Sequence, residues 1–250
     1  MYIFKAIHIP LIDFIRKLAT MIDFSQAKPQ FQHVTNFQDL VSTPFSEEIN
    51  AIGWIRNLVG DFAEIVNKVE LNENITVIDE ELLRKLTLSK QGNLAREIIL
   101  NDLQLLTAHG AAPVLNVIKS YERDKEYPFF STDVYSFHVD RSTVPTDTIL
   151  CTYYGASSEI VPNSEATQKI LIPEIRNELK KIYGSDDEGF ENFLIENFFD
   201  LHYQVKSNAV PISLGIGHIW RLAIDYPETK IPPCVHRAPT ENTERLLLIC

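Results

Sequence analysis

Apolar residues recur at two different periods along this chain, and the change between them organises it. Leu94 to Leu106 carries Ile98, Ile99, Leu103 and Leu106 at helical spacing. His109-Gly110 ends that run, glycine suiting the left-handed position after a helix. From Gly60 onward, Phe62, Ile65, Val66 and Val69 share one helical face. Ile7, Leu11, Phe14, Ile15 and Leu18 predict another helix, with Pro10 near its start. Ser46 is positioned to cap a short helix, residues 75–88 are mixed, and Asn50 to Arg56 is apolar enough for a buried strand or turn.

Beyond residue 112 the texture becomes aromatic and β-branched. Val114 to Val117, Tyr127 to Val134 and Thr148 to Tyr154 predict strands, the last ended by Gly155. Ser164 to Phe199 reverts to helical spacing, through Ile172, Ile175, Leu179 and Ile182 and then Phe190, Phe193, Leu194 and Phe198. Val210 to Ile224 returns to strands, with Gly215 and Gly217 as bends, and Arg245 to Cys250 is a final strand. No repeat or low-complexity tract is present. The expected class is α+β. Residues 1–112 form a mostly helical support region, and residues 113–250 form a β-rich domain with a helical insertion at about 164–200. Short strands carrying polar ligands on an inner face suggest a cupin-like jelly roll.

Charge narrows the partners. With 34 acidic against 23 basic residues the net charge is −11, and no Lys/Arg cluster offers a path for a phosphate backbone. Nucleic acid is set aside. No long uncharged apolar run predicts a membrane span, and the first residues lack a signal-peptide pattern. Three cysteines without regular spacing make no disulfide framework and point to a reducing, cytoplasmic setting.

The candidate chemistry lies in Phe137-His138-Val139-Asp140. On a strand, residues i and i+2 face the same side, so His138 and Asp140 project together. His236 downstream is the expected third ligand, and two histidines plus one carboxylate leave one face of a metal open, as in non-haem Fe(II) oxygenases. Arg245 follows on the next strand, a forked permanent cation suited to the far carboxylate of a 2-oxo acid. His218, just after Gly215 and Gly217, is the rival third ligand, while His8, His33, His109 and His202 read as surface or capping groups. Tyr153 and Tyr154 alternate faces, so one of them points inward, either to hydrogen-bond a bound acid or as a core aromatic. Arg237, beside His236, competes with Arg245 for the co-substrate role or pairs with an acidic group. Cys151 reads as a buried structural thiol. Ser185 to Glu188 lacks calcium-loop spacing and reads as a solvated loop.

His-x-Asp, a long gap, His, then Arg resembles the Fe(II)/2-oxoglutarate-dependent dioxygenase superfamily over roughly the last half of the chain. Several blocks also resemble an uncharacterised bacterial domain-of-unknown-function family: Phe137–Asp140, Leu150–Gly155, His236–Pro239, Arg245–Leu248, and Asn50–Arg56 with Gly60–Phe62. The superfamily resemblance implies a double-stranded β-helix using Fe(II), 2-oxoglutarate and O₂. It implies His138, Asp140 and His236 as metal ligands, with Arg245, and Tyr153 or Arg237, at the co-substrate. Two alternatives use the same residues: a metal-binding cupin holding Zn²⁺ or another divalent ion without oxygenase activity, or a non-catalytic interaction protein. The substrate, expected to be a small molecule, and the oligomeric state are left open.

Overall fold

The computed structural model describes residues 30–250 except 186, 188, 241 and 242. The helix expected over Ile7 to Leu18 lies outside them. Along the chain run β1 (Phe31–Val34), α1 (Phe37–Ser42), β2 (Ala51–Trp54), α2 (Phe62–Lys68), β3 (Ile75–Ile78), α3 (Glu80–Lys85), α4 (Lys90–Ala108) and β4 (Val114–Ile118). Then come β5 (Asp147–Tyr154), β6 (Glu159–Val161), β7 (Ala166–Gln168), α5 (Pro173–Tyr183), α6 (Gly189–Glu196), β8 (Tyr203–Val205), β9 (Ile212–Ser213), β10 (Ile219–Ala223), β11 (Val235–Arg237) and β12 (Arg245–Ile249). The architecture is α+β: a large, mostly antiparallel sheet with helices on one face and smaller sheets on the other.

The large sheet has the strand order β1-β2-β10-β5-β12-β4-β3. Residue 112 is therefore no boundary within it, because β2 pairs with β10 and β3 with β4. The mostly helical support region supplies three strands of its own. They are only four residues long, and their stability comes from long-range pairing rather than local pattern.

One face of this sheet carries Ile52, Leu115, Val117, Ile149, Cys151, Tyr153, Leu246 and Leu248, packed on Ile65, Ile99, Leu103 and Leu106 of α2 and α4. The other face carries Ile118, Leu150, Trp220, Leu222 and Leu247, packed on Ile160, Leu214 and Cys234 of a second layer. Strand β5 is thus buried on both sides. The second layer contains the sheet β11-β6-β9 and the pair β7-β8. His138 joins them, bridging to His236 on one side and His202 on the other.

Three local expectations change. Ser46 caps no helix; it closes a turn by accepting from the Ile49 amide, while Asn36 caps α1 instead. Tyr127 to Val134 is not a strand. The Asp124 carboxylate accepts from the Glu126 and Thr132 backbone amides and from the Thr132 hydroxyl, and holds a turn that denies this stretch a ladder. Its aromatics serve a separate core instead, Phe130 packing with Leu179, Phe190, Leu194 and Phe199. The expected helical insertion holds α5 and α6, but Ala166–Gln168 within it is a strand. At the end of β5, Gly155 has φ +84° and lies against the Glu244 carbonyl, where a Cβ would sit 2.6 Å from the oxygen; only glycine fits that return. Among the described residues no helix is long and apolar enough to cross a membrane.

Candidate metal centre

Alternation around residue 138 sets the site. Phe137 and Val139 point outward into an apolar cluster with Val161, Leu201 and Val235. His138 and Asp140 therefore face inward, toward the large sheet. His138 exchanges both backbone hydrogen bonds with His236, N to O at 2.8 Å and 2.9 Å. That places the two imidazoles side by side, with ring centroids 4.5 Å apart.

The donor atoms converge. His138 Nε2 lies 3.9 Å from Asp140 Oδ1, and His236 Nε2 lies 3.6 Å from Asp140 Oδ2. One ligand atom from each of the three residues falls within 4.8 Å of the others. Ligands held about 2.1 Å from one ion stand roughly 3–4 Å apart, so these spacings suit a common cation. The far ring nitrogens decide the tautomer. His138 Nδ1 is 2.8 Å from the Ser136 carbonyl and His236 Nδ1 is 3.1 Å from the Cys234 carbonyl. A carbonyl only accepts, so each Nδ1 carries the hydrogen and each Nε2 keeps a lone pair for a metal. The Thr148 hydroxyl, reaching across from β5, donates to Asp140 Oδ2 at 2.5 Å. This donor set fits Fe(II), and Zn²⁺ as well.

Electrostatics favour the neutral form of His138 and of its neighbour His202. Burial, and then the adjacent His236 ring, pushes His138 down from 6.5 to about 4. Burial would raise the Asp140 carboxyl, but His236, the Thr148 hydroxyl and His138 outweigh it and hold the group below its ordinary value. His202, expected at the surface, is only 5% exposed. Its ring centroid is 5.7 Å from that of His138, and burial followed by His138 pushes it down to about 3.

These shifts predict a pH dependence. The unfolded chain takes protons near 6.5, and the folded chain resists until about 4 for His138 and about 3 for His202. Within that window the unfolded state binds more protons, so stability is complete above it and falls as pH falls through it. For metal-free protein the expected loss is on the order of 2 kcal/mol for each of the two histidines between about pH 7 and about pH 5, read by urea denaturation. His202→Asn should flatten the curve.

Arg245 stands on the inner face of β12, almost fully buried. Its Nη2 donates to Thr152 Oγ1 at 2.9 Å and to Ser158 Oγ at 2.8 Å. A cavity of about 310 Å³ brings Arg245, Ser158 and Asn116 to the same space as His138, Asp140 and His236. The other two co-substrate candidates lie elsewhere. Tyr153 is on the helix-facing side of β5, stacked on Phe62, and its hydroxyl donates to Asp102 at 2.6 Å. Arg237 is paired with Glu159 at 2.7 Å and covers the Phe137 ring, on the outer side of β11. His218 is also away from the cluster, its Nδ1 accepting from the Arg56 amide at 3.2 Å. Sequence reasoning missed Asn116, Thr148, Ser158 and His202. For Asn116 the signal was present: an amide in the middle of the apolar run Val114–Ile118 marks a polar cavity wall.

No protein-family model, curated protein or solved structure matches the chain.

Proposed function

We propose that this chain is a non-haem Fe(II)/2-oxoglutarate-dependent dioxygenase built on a double-stranded β-helix, as the superfamily resemblance implies. The observation that carries the reading is a single cavity shared by His138, Asp140, His236 and Arg245. The fold part is supported by the way extended segments alternate between layers. Strand β4 is in the large sheet, residues 137–140 in the second layer, β5 in the large sheet, β6 and β9 in the second, β10 in the large, β11 in the second and β12 in the large.

On this reading His138, Asp140 and His236 hold the metal, and Arg245 holds the far carboxylate of 2-oxoglutarate. Bound there, Fe(II) supplies the one-electron and O₂ chemistry that side chains lack. The chain's own contribution is positional. The Ser136 and Cys234 carbonyls fix both imidazoles, and Thr148 fixes the carboxylate. Thr152 and Ser158 hold the Arg245 guanidinium at the cavity wall, and Leu150, Leu247 and Ile249 keep that space apolar. A reducing, cytoplasmic setting fits three cysteines that form no disulfide.

The test pairs metal and co-substrate binding. Wild-type protein should bind Fe(II) anaerobically, give a visible charge-transfer band with 2-oxoglutarate, and convert it slowly to succinate without a substrate. Arg245→Met should keep the metal and weaken 2-oxoglutarate about 100-fold, since a charge-assisted contact in a buried site is lost. Protein that binds Zn²⁺ or Fe(II) but never 2-oxoglutarate would move the assignment to a metal-binding protein of other function. Protein that binds no metal would end it.

A further inference from the structure

Resting on the oxygenase reading, the geometry points to a second cavity, on the His202 side of the centre, as the site of the molecule to be oxidised, and to an uncharged, largely apolar small molecule bearing one hydrogen-bonding oxygen. This cavity, of about 420 Å³, has Val134, His138 and Asp140 in its wall, and the same three residues line the cavity of Arg245. The two cavities therefore meet at the centre, where a ligand in each would lie beside it.

The chemistry of the lining sets the class. Val139, Leu201 and Phe198 give it an apolar surface. Arg141 stands in the wall, but its guanidinium is bound to both Asp200 and Asp225, and with Asp140 nearby the carboxylates outnumber it. An anion gains nothing there. His202 supplies the polar element. It is 5% exposed and lines the cavity, and its Nδ1 is sealed off with no hydrogen-bond partner. A buried N–H without an acceptor is rarer than an unused acceptor, so the neutral ring keeps its hydrogen on Nε2. That nitrogen is left to donate to a ligand oxygen. Phe198 stands at the same wall with φ 59°, a left-handed conformation rare for a bulky residue, and with 59% of its surface exposed. Such outliers cluster at ligand clamps. Here the turn after α6 leaves a largely exposed aromatic residue at the cavity wall.

The experiment uses the full chain loaded with Zn²⁺ and three matched probes: benzyl alcohol, benzoate and benzylamine. Binding is followed by saturation-transfer NMR and calorimetry, with and without 2-oxoglutarate. Benzyl alcohol is expected to bind at millimolar concentration, more tightly than benzoate or benzylamine, and without competing with 2-oxoglutarate. His202→Phe keeps the ring volume and should weaken benzyl alcohol about tenfold, the value of one good hydrogen bond, with affinity for metal and 2-oxoglutarate unchanged. Phe198→Gly relieves the left-handed strain, so it should fold at least as stably while also weakening benzyl alcohol. Undiminished binding of benzyl alcohol by both variants would overturn the proposal while leaving the oxygenase reading intact. So would its displacement by 2-oxoglutarate, or no binding at all. Failure of wild-type protein to bind metal or 2-oxoglutarate strikes the oxygenase reading instead, and would show independently of any probe.

Discussion

Asp140→Ala should strip the protein of its divalent metal while leaving the fold in place. The carboxylate is the only anionic donor in the cluster, and both imidazoles face it, at 3.9 Å and 3.6 Å. Changing a group that merely orients a ligand costs about 10–100-fold in metal affinity, so losing the anionic ligand itself should cost more than about 100-fold. Thr148→Val removes only the hydroxyl that donates to Asp140, and should fall within that smaller range. The fold should tolerate both changes. The Asp140 side chain keeps 32% of its surface exposed, and its backbone carbonyl still accepts from Asp225. Anaerobic calorimetry with Fe(II), repeated with Zn²⁺, reads the affinities. Thermal melts with and without metal give a second measure, because a ligand that binds only the native state raises Tm. Wild-type metal affinity in Asp140→Ala would remove the physical basis of the site.

The parts of this site that were legible in the sequence are those with local periodicity. His138 and Asp140 share a face because Phe137 and Val139 take the other, and that alternation can be read from four residues. His236 and Arg245 could be placed on strands, but their convergence depends on pairings such as His138 with His236 that no window contains. Tyr153 was misplaced for a definite reason. Strand β5 is buried on both faces, so burial does not separate them; Thr148 and Thr152, on the face opposite Tyr153, are what mark the side that looks at the metal. His202 escaped notice because its burial comes from a bridge to His138, far upstream, and from Phe130 in a segment that looked like a strand and is a turn. Of the N-terminal strands, β2 lies within the apolar run Asn50–Arg56, but β1 and β3 were hidden by brevity: four residues such as Ile75–Ile78 carry little periodicity, and pairing with β4 makes them a sheet edge.

The helix-facing side of β5, where Tyr153 does lie, carries the second large effect. Asp102→Ala should destabilise the protein by about 3–5 kcal/mol, the usual cost of breaking a buried ion pair from one side. Asp102 on α4 is 1% exposed and pairs with Arg56 at 2.7 Å, while its second oxygen accepts from the Tyr153 hydroxyl at 2.6 Å. Burial by itself would lower the Arg56 pKa; the hydrogen bond and charge of Asp102 more than reverse that and hold the guanidinium charged. Remove the carboxylate, and a buried cation is left with the Gly217 carbonyl, the Cys151 sulfur and the Trp54 ring, none of them an anion, with the tyrosine hydroxyl orphaned beside it. At about 2–4 °C per kcal/mol for a chain of this size, Tm should fall by roughly 6–20 °C. The double variant Arg56→Met/Asp102→Leu should recover most of the loss, since an apolar pair needs no desolvated charge, and the coupling in a double-mutant cycle measures how much. Metal affinity should not move in either variant, because the network lies across the sheet from His138 and His236. A loss below about 1 kcal/mol would mean that water reaches Arg56 once Asp102 is gone, and that this ion pair does not lock α4 to the sheet.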